Sequence, residues 1–241
     1  MIVFHVHFQS AASNAAADGR AASGINVDAA ERENPHPLMQ GYYNYRYSKA
    51  FSRDDVREAV IPAYMGLITQ IDDQIGRVMQ YLDESGQAED TMIVFTSDHG
   101  DYLGDHWMGE KELFHDASAR VPLIIVDPSK DADATRGQVR DDLTEAIDLL
   151  PTFVDFFGGT IADHILEGHS LLPSIRGGNA PNRTFVVSEY DYSARVFLRH
   201  LSPDAKSCNL TMVFDGRWKF IWVEGHRPIL YDLESDPKVL V

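Results

Sequence analysis

Apolar residues recur along this chain with two periods, and each period marks a different kind of element. Val60, Tyr64, Leu67, Ile68, Ile71, Ile75, Val78, Met79 and Leu82 follow one another at three- and four-residue steps, which places them on one stripe of a long α-helix. The helix is expected from Ser52, with Asp54 and Asp55 in its first turn and Gly86 at the position of a C-terminal cap. Pro62 inside the pattern predicts a kink, or a start one turn later. Short apolar runs at 2–8, 92–96 and 121–126 predict strands, the last with Pro122 near its start, where a missing N–H is tolerated. A second helix fits 144–157, with Ile147, Leu150, Phe153, Val154 and Phe157 on one side and Gly158-Gly159 as its stop.

Strands alternating with helices predict an α/β fold with a mostly parallel sheet covered by helices. Beyond Gly178 the texture changes to short strand candidates at 185–188, 211–214, 218–222 and 229–231, with Asp215-Gly216 as a hairpin signal. The expected division is therefore an α/β body over 1–178 and a small antiparallel sheet subdomain over 179–241. Trp218, Phe220 and Trp222 alternate at period two and are expected to form one packed face. Residues 9–37 show no clean periodicity and read as a long loop, a length that is usually functional or disordered.

Composition narrows the class. The 241 residues carry 21 Lys+Arg against 37 Asp+Glu, a net charge of −16, which argues against a nucleic-acid binder with its basic face. No apolar run reaches the roughly 20 residues of a membrane span, and the first eight residues are too short and polar for a secretory signal. The single cysteine, Cys208, excludes an intramolecular disulfide and points to a reducing compartment. A cytoplasmic protein is expected, a homo-oligomer being compatible with everything above.

Chemistry concentrates in Thr96-Ser-Asp-His-Gly-Asp-Tyr-Leu-Gly-Asp-His106. The segment leaves the carboxyl end of a predicted buried strand, where open α/β sheets place their sites. Residues 81–105 hold seven acidic residues and no Lys or Arg, a patch that attracts cations. Asp98 offers a hard oxygen and His99 an imidazole, and Gly100 allows the bend that lets both reach one ion. Against this stands an ordinary turn, with Asp98 capping it and His99 bonded to a loop carbonyl. Lys111 is either a cation reaching back to an anionic substrate oxygen or a solvated lysine between two glutamates. His106 and His115 read as surface or turn histidines. His5 is either a wall of the same site or a buried histidine bonded to backbone.

The same segment, with Lys111 and Ala119-Arg-Val-Pro-Leu-Ile124, resembles the second half of a sulfatase-like hydrolase of the alkaline phosphatase superfamily. Residues 64–78, which precede it, resemble the long helix of that family, and 144–152 and 230–237 are similar to its later landmarks. His36-Pro-Leu-Met39, Ser188-Glu-Tyr-Asp-Tyr192 and 208–219 look closest to phosphonate monoester hydrolases, which are also phosphodiesterases. The resemblance implies a partial alkaline-phosphatase-like fold. It implies that Asp98 and His99 bind one divalent metal and that Lys111 contacts the oxygens of a small anionic ester; His5 is the nearest match to a substrate-binding histidine. An oxygen-plus-imidazole site suits Mn²⁺ or Ca²⁺, with Zn²⁺ or Fe as alternatives.

The family's nucleophile is a formylglycine made from Cys or Ser in a Cys/Ser-x-Pro-x-Arg motif. No such motif occurs in this chain, and Cys208 lies in Lys-Ser-Cys-Asn-Leu. The expectation is a carboxyl-terminal portion of a hydrolase of phosphonate monoesters or phosphodiesters. An organic sulfate ester hydrolase and a catalytically inert remnant stand as the alternatives.

Overall fold

The computed structural model describes residues 2–4, 27–199, 201 and 208–239. It resolves into two compact units, each assembled from separate stretches of chain. One comprises 1–7, 75–97 and 121–186; the other comprises 8–74, 98–120 and 187–241.

The first unit is built on a four-stranded sheet of β1 (Ile2–Phe4), β2 (Ile93–Thr96), β3 (Leu123–Val126) and β4 (Val139–Arg140), in the order β2-β3-β1-β4. The α/β class holds, but the mostly parallel sheet does not: β3 runs antiparallel to both β1 and β2, and only β1–β4 is parallel. The reason lies in the connection. Parallel neighbours need a crossover, usually a helix of some length, whereas the chain between β2 and β3 contains only a 3-10 turn and one four-residue helix. Leu123, Ile125, Ala132, Leu171 and Ile175 form this unit's core. The helix expected at 144–157 begins as a 3-10 turn and becomes α-helical over Leu149–Phe156.

The second unit contains helices α1 (Pro37–Tyr43) and α2 (Arg46–Phe51) and a sheet ordered β5-β6-β7-β8, from Val186–Asp191, Asn209–Phe214, Trp218–Val223 and Ile229–Asp232. The ladders β6–β7 and β7–β8 are antiparallel, as expected. Leu210, Met212, Ile221 and Val223 join Leu38, Met39, Tyr42, Tyr102, Met108 and Phe114 in a larger core. Here the aromatic expectation is corrected: Trp218, Phe220 and Trp222 are exposed, and the alternate residues Lys219, Ile221 and Val223 are buried. Period two defines two faces without saying which one packs. Lys219 tolerates the inner face because its ammonium donates to the Phe114 carbonyl and pairs with Asp116.

The long helix, α3, runs without interruption from Asp54 to Glu84, with Pro62 inside it rather than one turn before its start. It closes on Gly86 (φ 72°), with the Gln87 N–H bonded to the Leu82 carbonyl at 2.9 Å, the six-to-one bond of a left-handed C-terminal cap. Its apolar stripe is largely uncovered: Leu67 is 57%, Ile71 55% and Val78 59% exposed. Among the described residues no helix is long and apolar enough to cross a membrane.

Candidate metal and substrate site

Asp98 stands two residues beyond the end of β2, at the start of a loop that doubles back on itself. Three backbone bonds zip it closed: Gly100 N–H to the Ser118 carbonyl (2.8 Å), Tyr102 N–H to Glu110 (2.9 Å) and Gly104 N–H to Met108 (2.8 Å). Because 100 pairs with 118 and 102 with 110, residue 111 returns beside residue 99. Lys111 Nζ lies 2.8 Å from His99 Nε2, and Asp98 Oδ2 lies 3.2 Å from the same nitrogen. The structure thus brings Asp98, His99 and Lys111 to one point. His5 lies outside the described residues.

Hydrogen bonding fixes the proton on one imidazole nitrogen. His99 Nδ1 faces the Gly100 carbonyl at 2.8 Å, and a carbonyl can only accept, so Nδ1 carries the proton. Nε2 is left facing Asp98 and Lys111. An N–H on one ring nitrogen held by backbone is the arrangement that orients a metal-binding histidine through the other. It is also the carbonyl bond that an ordinary turn would show, so the ring's setting serves both readings. Asp98 is 84% exposed at its side chain and accepts from the His99 N–H at 3.0 Å. Slight desolvation works against its ionisation. That N–H, the His99 ring and the Lys111 ammonium together hold its pKa below the usual carboxylate value.

These donors test the metal that the family implies. One carboxylate oxygen and one imidazole nitrogen, 3.2 Å apart, are a hard-oxygen-plus-nitrogen pair that a divalent ion takes. By themselves they fall short of a full coordination shell: among the described residues no group of three His, Cys, Asp or Glu converges on a metal position. Asp101 is partly buried nearby. Burial and the charge of Glu110 raise its pKa, against the opposing Leu103 N–H, His99 and Lys111.

The loop holds its shape under strain. Leu103, His106, Trp107, Glu110 and Glu112 all have positive φ, from 48° to 101°, a region that costs a residue with a side chain on the order of 1 kcal/mol. Gly104 (φ 110°) takes the sharpest of these turns, and a Cβ there would stand 2.3 Å from Arg57 Cδ. Buried partners keep the strained residues in place. Glu112, 7% exposed at its side chain, pairs with Arg195 and accepts from the Tyr42 hydroxyl at 2.9 Å, while its N–H donates to Ser118 Oγ at 3.0 Å. His106 and His115 are not surface histidines: both are buried, their rings stacked 4.1 Å apart. His106 Nδ1 lies 2.7 Å from Glu31, and His115 Nδ1 lies 2.8 Å from the Tyr102 hydroxyl. Burial pushes the His115 pKa well down, with His106 and Lys219 adding to the effect. Glu112 carried no signal in the sequence, because its partners come from residues 42, 118 and 195.

Two family models match the chain: the sulfatase model over residues 33–159, and that of the N-sulphoglucosamine sulphohydrolase C-terminal region over 104–241. The chain belongs to the sulfatase family. It is 35% identical over 228 residues to the multifunctional alkaline phosphatase superfamily protein PehA of Trinickia caryophylli, matching 85% of this chain and 43% of the relative. It is 36% identical to an arylsulfatase of Clostridium perfringens, over 74% of this chain and 34% of that one. Among solved structures, the phosphonate monoester hydrolase of Agrobacterium radiobacter superposes with a TM-score of 0.71 at 35% identity, covering 78% of this chain and 38% of that chain. The chain thus spans about two fifths of the relatives it matches, and what it matches is their carboxyl-terminal portion.

Proposed function

We propose that this chain is the carboxyl-terminal part of a metal-dependent hydrolase of phosphonate monoesters or phosphodiesters, with sulfate esters as secondary substrates. The observation that carries the reading is the convergence of Asp98, His99 and Lys111 at one point, in a chain similar to PehA and to a phosphonate monoester hydrolase. Asp98 and His99 would hold one divalent ion, Mn²⁺ or Ca²⁺ suiting the donors best and Zn²⁺ or Fe less well. When bound, such an ion neutralises an anionic ester and lowers the pKa of the attacking hydroxyl.

The chain's own residues do the rest. The Gly100 carbonyl fixes the His99 ring so that Nε2 faces the site. Lys111, held by the closed loop, supplies a positive charge for oxygens that gain negative charge in the transition state. His5 is carried as a substrate-binding residue on family resemblance alone. The nucleophile has to come from elsewhere, since Cys208 is buried in the core and outside the family motif.

The test is turnover of phosphonate monoester, phosphodiester and aryl sulfate by a protein containing this chain together with the remaining family portion. Lys111→Ala and Asp98→Asn are each expected to lower kcat/KM at least a hundredfold. Unchanged turnover in both would remove the site from the mechanism. The 36% identity to an arylsulfatase favours one competing reading, sulfate ester hydrolysis as the main activity, and a clear aryl sulfate preference would establish it.

A further inference from the structure

We infer that Arg195 is a positioning residue for Lys111, acting through Glu112: it neutralises the buried carboxylate next to the lysine and so leaves the ammonium to face His99 and a substrate oxygen. The inference deepens the proposed function and rests on it for the effect on turnover, whereas the contacts themselves do not depend on it.

Lys111 stands between Glu110 and Glu112, and an ammonium flanked by two carboxylates is attracted to both. The structure shows a different arrangement. Lys111 Nζ turns to His99 Nε2 at 2.8 Å. The Glu112 carboxylate turns inward to 7% exposure, where it pairs with Arg195 and accepts from the Tyr42 hydroxyl at 2.9 Å. The backbone sets this turn: Glu112 has φ 101°, and its N–H donates to Ser118 Oγ at 3.0 Å. Consecutive side chains are thereby sent to different partners, the lysine to the site and the glutamate to the interior.

Arg195 is itself held in place. Its N–H donates to the Tyr192 carbonyl at 2.8 Å, its carbonyl accepts from the N–H of fully buried Leu198 at 2.9 Å, and its Nε donates to the Tyr190 hydroxyl at 3.1 Å. A planar guanidinium serves that hydroxyl and the carboxylate at once, in a fixed fork that a lysine lacks. All of these residues lie in the second unit. A carboxylate buried without a cation is unfavourable. With Arg195 gone, the nearest replacement along the chain is the Lys111 ammonium, and drawing it inward takes it off His99. The pair thus acts on the reaction through where it leaves the Lys111 charge.

Two measurements test this. The first is turnover by a protein containing this chain together with the remaining family portion. Arg195→Ala is expected to lower kcat about tenfold and leave KM within about twofold, because Lys111 acts on charge that develops in the transition state. Arg195→Lys keeps the charge without the fork and should lose about threefold. Adding Glu112→Gln to Arg195→Ala removes the unpaired carboxylate and should restore kcat to within about threefold of the parent, a rescue that a packing role does not give. In a Lys111→Ala background, Arg195→Ala should change kcat less than about twofold, since residues acting through one charge are not additive. The second measurement needs no activity. Lysines of the 241-residue chain are methylated with isotope-labelled formaldehyde, and the Lys111 resonance is assigned by its absence from Lys111→Ala. That resonance should shift in Arg195→Ala and return toward the parent position in the double variant. Circular dichroism checks folding, and Arg195→Lys carries the same comparisons where the alanine variant does not fold. An unmoved resonance would overturn the inference, as would a double variant slower than Arg195→Ala or an equal Arg195→Ala loss with and without Lys111. A resonance that follows Arg195 and Glu112 in a protein hydrolysing none of the three ester classes would leave the positioning standing and remove the proposed function instead.

Discussion

Helix α3 and the loop from Asp98 to Asp116 divide local order and burial between them in opposite ways. The helix is regular over 31 residues and closed by a C-terminal cap, and yet its apolar face is open to water. The loop is irregular, with five residues other than glycine at positive φ, and yet it carries buried tyrosine, histidine, methionine and phenylalanine side chains. Regularity therefore says little about which region is tightly held. The loop is fixed by specific long-range partners, the helix by its own backbone bonds, and substitutions should separate the two.

The widest separation is expected from Glu112→Ala set against Val78→Asp. Removing the Glu112 carboxylate takes the ion-pair partner from Arg195 and an acceptor from the Tyr42 hydroxyl, leaving both with Tyr190. Breaking a buried pair on one side costs about 3–5 kcal/mol, and partial exposure of Arg195 puts the expected loss at about 3 kcal/mol. For a chain of this size that is a fall in Tm of roughly 6–12 °C. Glu112→Gln, which can still accept from Tyr42, should lose less. Val78→Asp exchanges two residues of similar helix propensity at an exposed position, and should stay within about 0.5 kcal/mol of the parent. Thermal melts of the three variants decide it; equal losses at 112 and 78 would erase the distinction between the regions.

The contrast also explains what could be read from the sequence. Helix α3 was legible to within two residues, because three-and-four spacing, acidic first-turn residues and Gly86 are all local signals. The strands at 93–96, 123–126 and 218–223 were legible for the same reason. What failed depended on distant partners. The direction of β3 depends on a connection that lacks a crossover helix, and the face that Trp218 takes depends on where Ile221 and Val223 find their core. The Asp98–His99–Lys111 grouping was recognisable as a motif, but the physical cause of Lys111's return, the three cross-loop backbone bonds, leaves no mark in composition or period. Nothing local in the sequence links Glu31 to His106, or Glu112 to Arg195 and Tyr42.

A second separation appears with pH. His115 is buried against His106, Tyr102, Tyr231 and Lys219, with Glu31 beyond His106, and its folded pKa lies well below the ordinary value of 6.5. The unfolded chain therefore binds a proton at pH values where the folded chain does not. Stability from this group is fully present above about pH 6.5 and falls with acidification, by up to about 1.4 kcal/mol per pH unit. Denaturant titrations between pH 8 and pH 5 should show that slope, flattened in His115→Asn. Amide exchange should locate the loss in the loop rather than along α3. An identical slope in the variant would assign the acid sensitivity to other groups.

The smallest expected effect runs in the opposite direction. Glu110 sits at φ 70° and contributes its backbone carbonyl to the Tyr102 N–H, a bond that any residue can make. Glycine reaches that conformation without the clash between Cβ and carbonyl, but it also gives up more freedom on folding. Removing a side-chain penalty of about 1 kcal/mol against a smaller entropic loss leaves Glu110→Gly more stable by roughly 0.5 kcal/mol. Glu112, at φ 101°, shows the other case: glycine there would relieve as much strain but delete the carboxylate that anchors the loop, so Glu112→Gly should still be strongly destabilising. Urea titration of both variants would show whether the loop is shaped by its backbone or by its buried partners. If strain alone governed it, both substitutions would stabilise; opposite signs at two glutamates only two residues apart would make the anchoring carboxylate, and not the turn, the element that holds Lys111 in place.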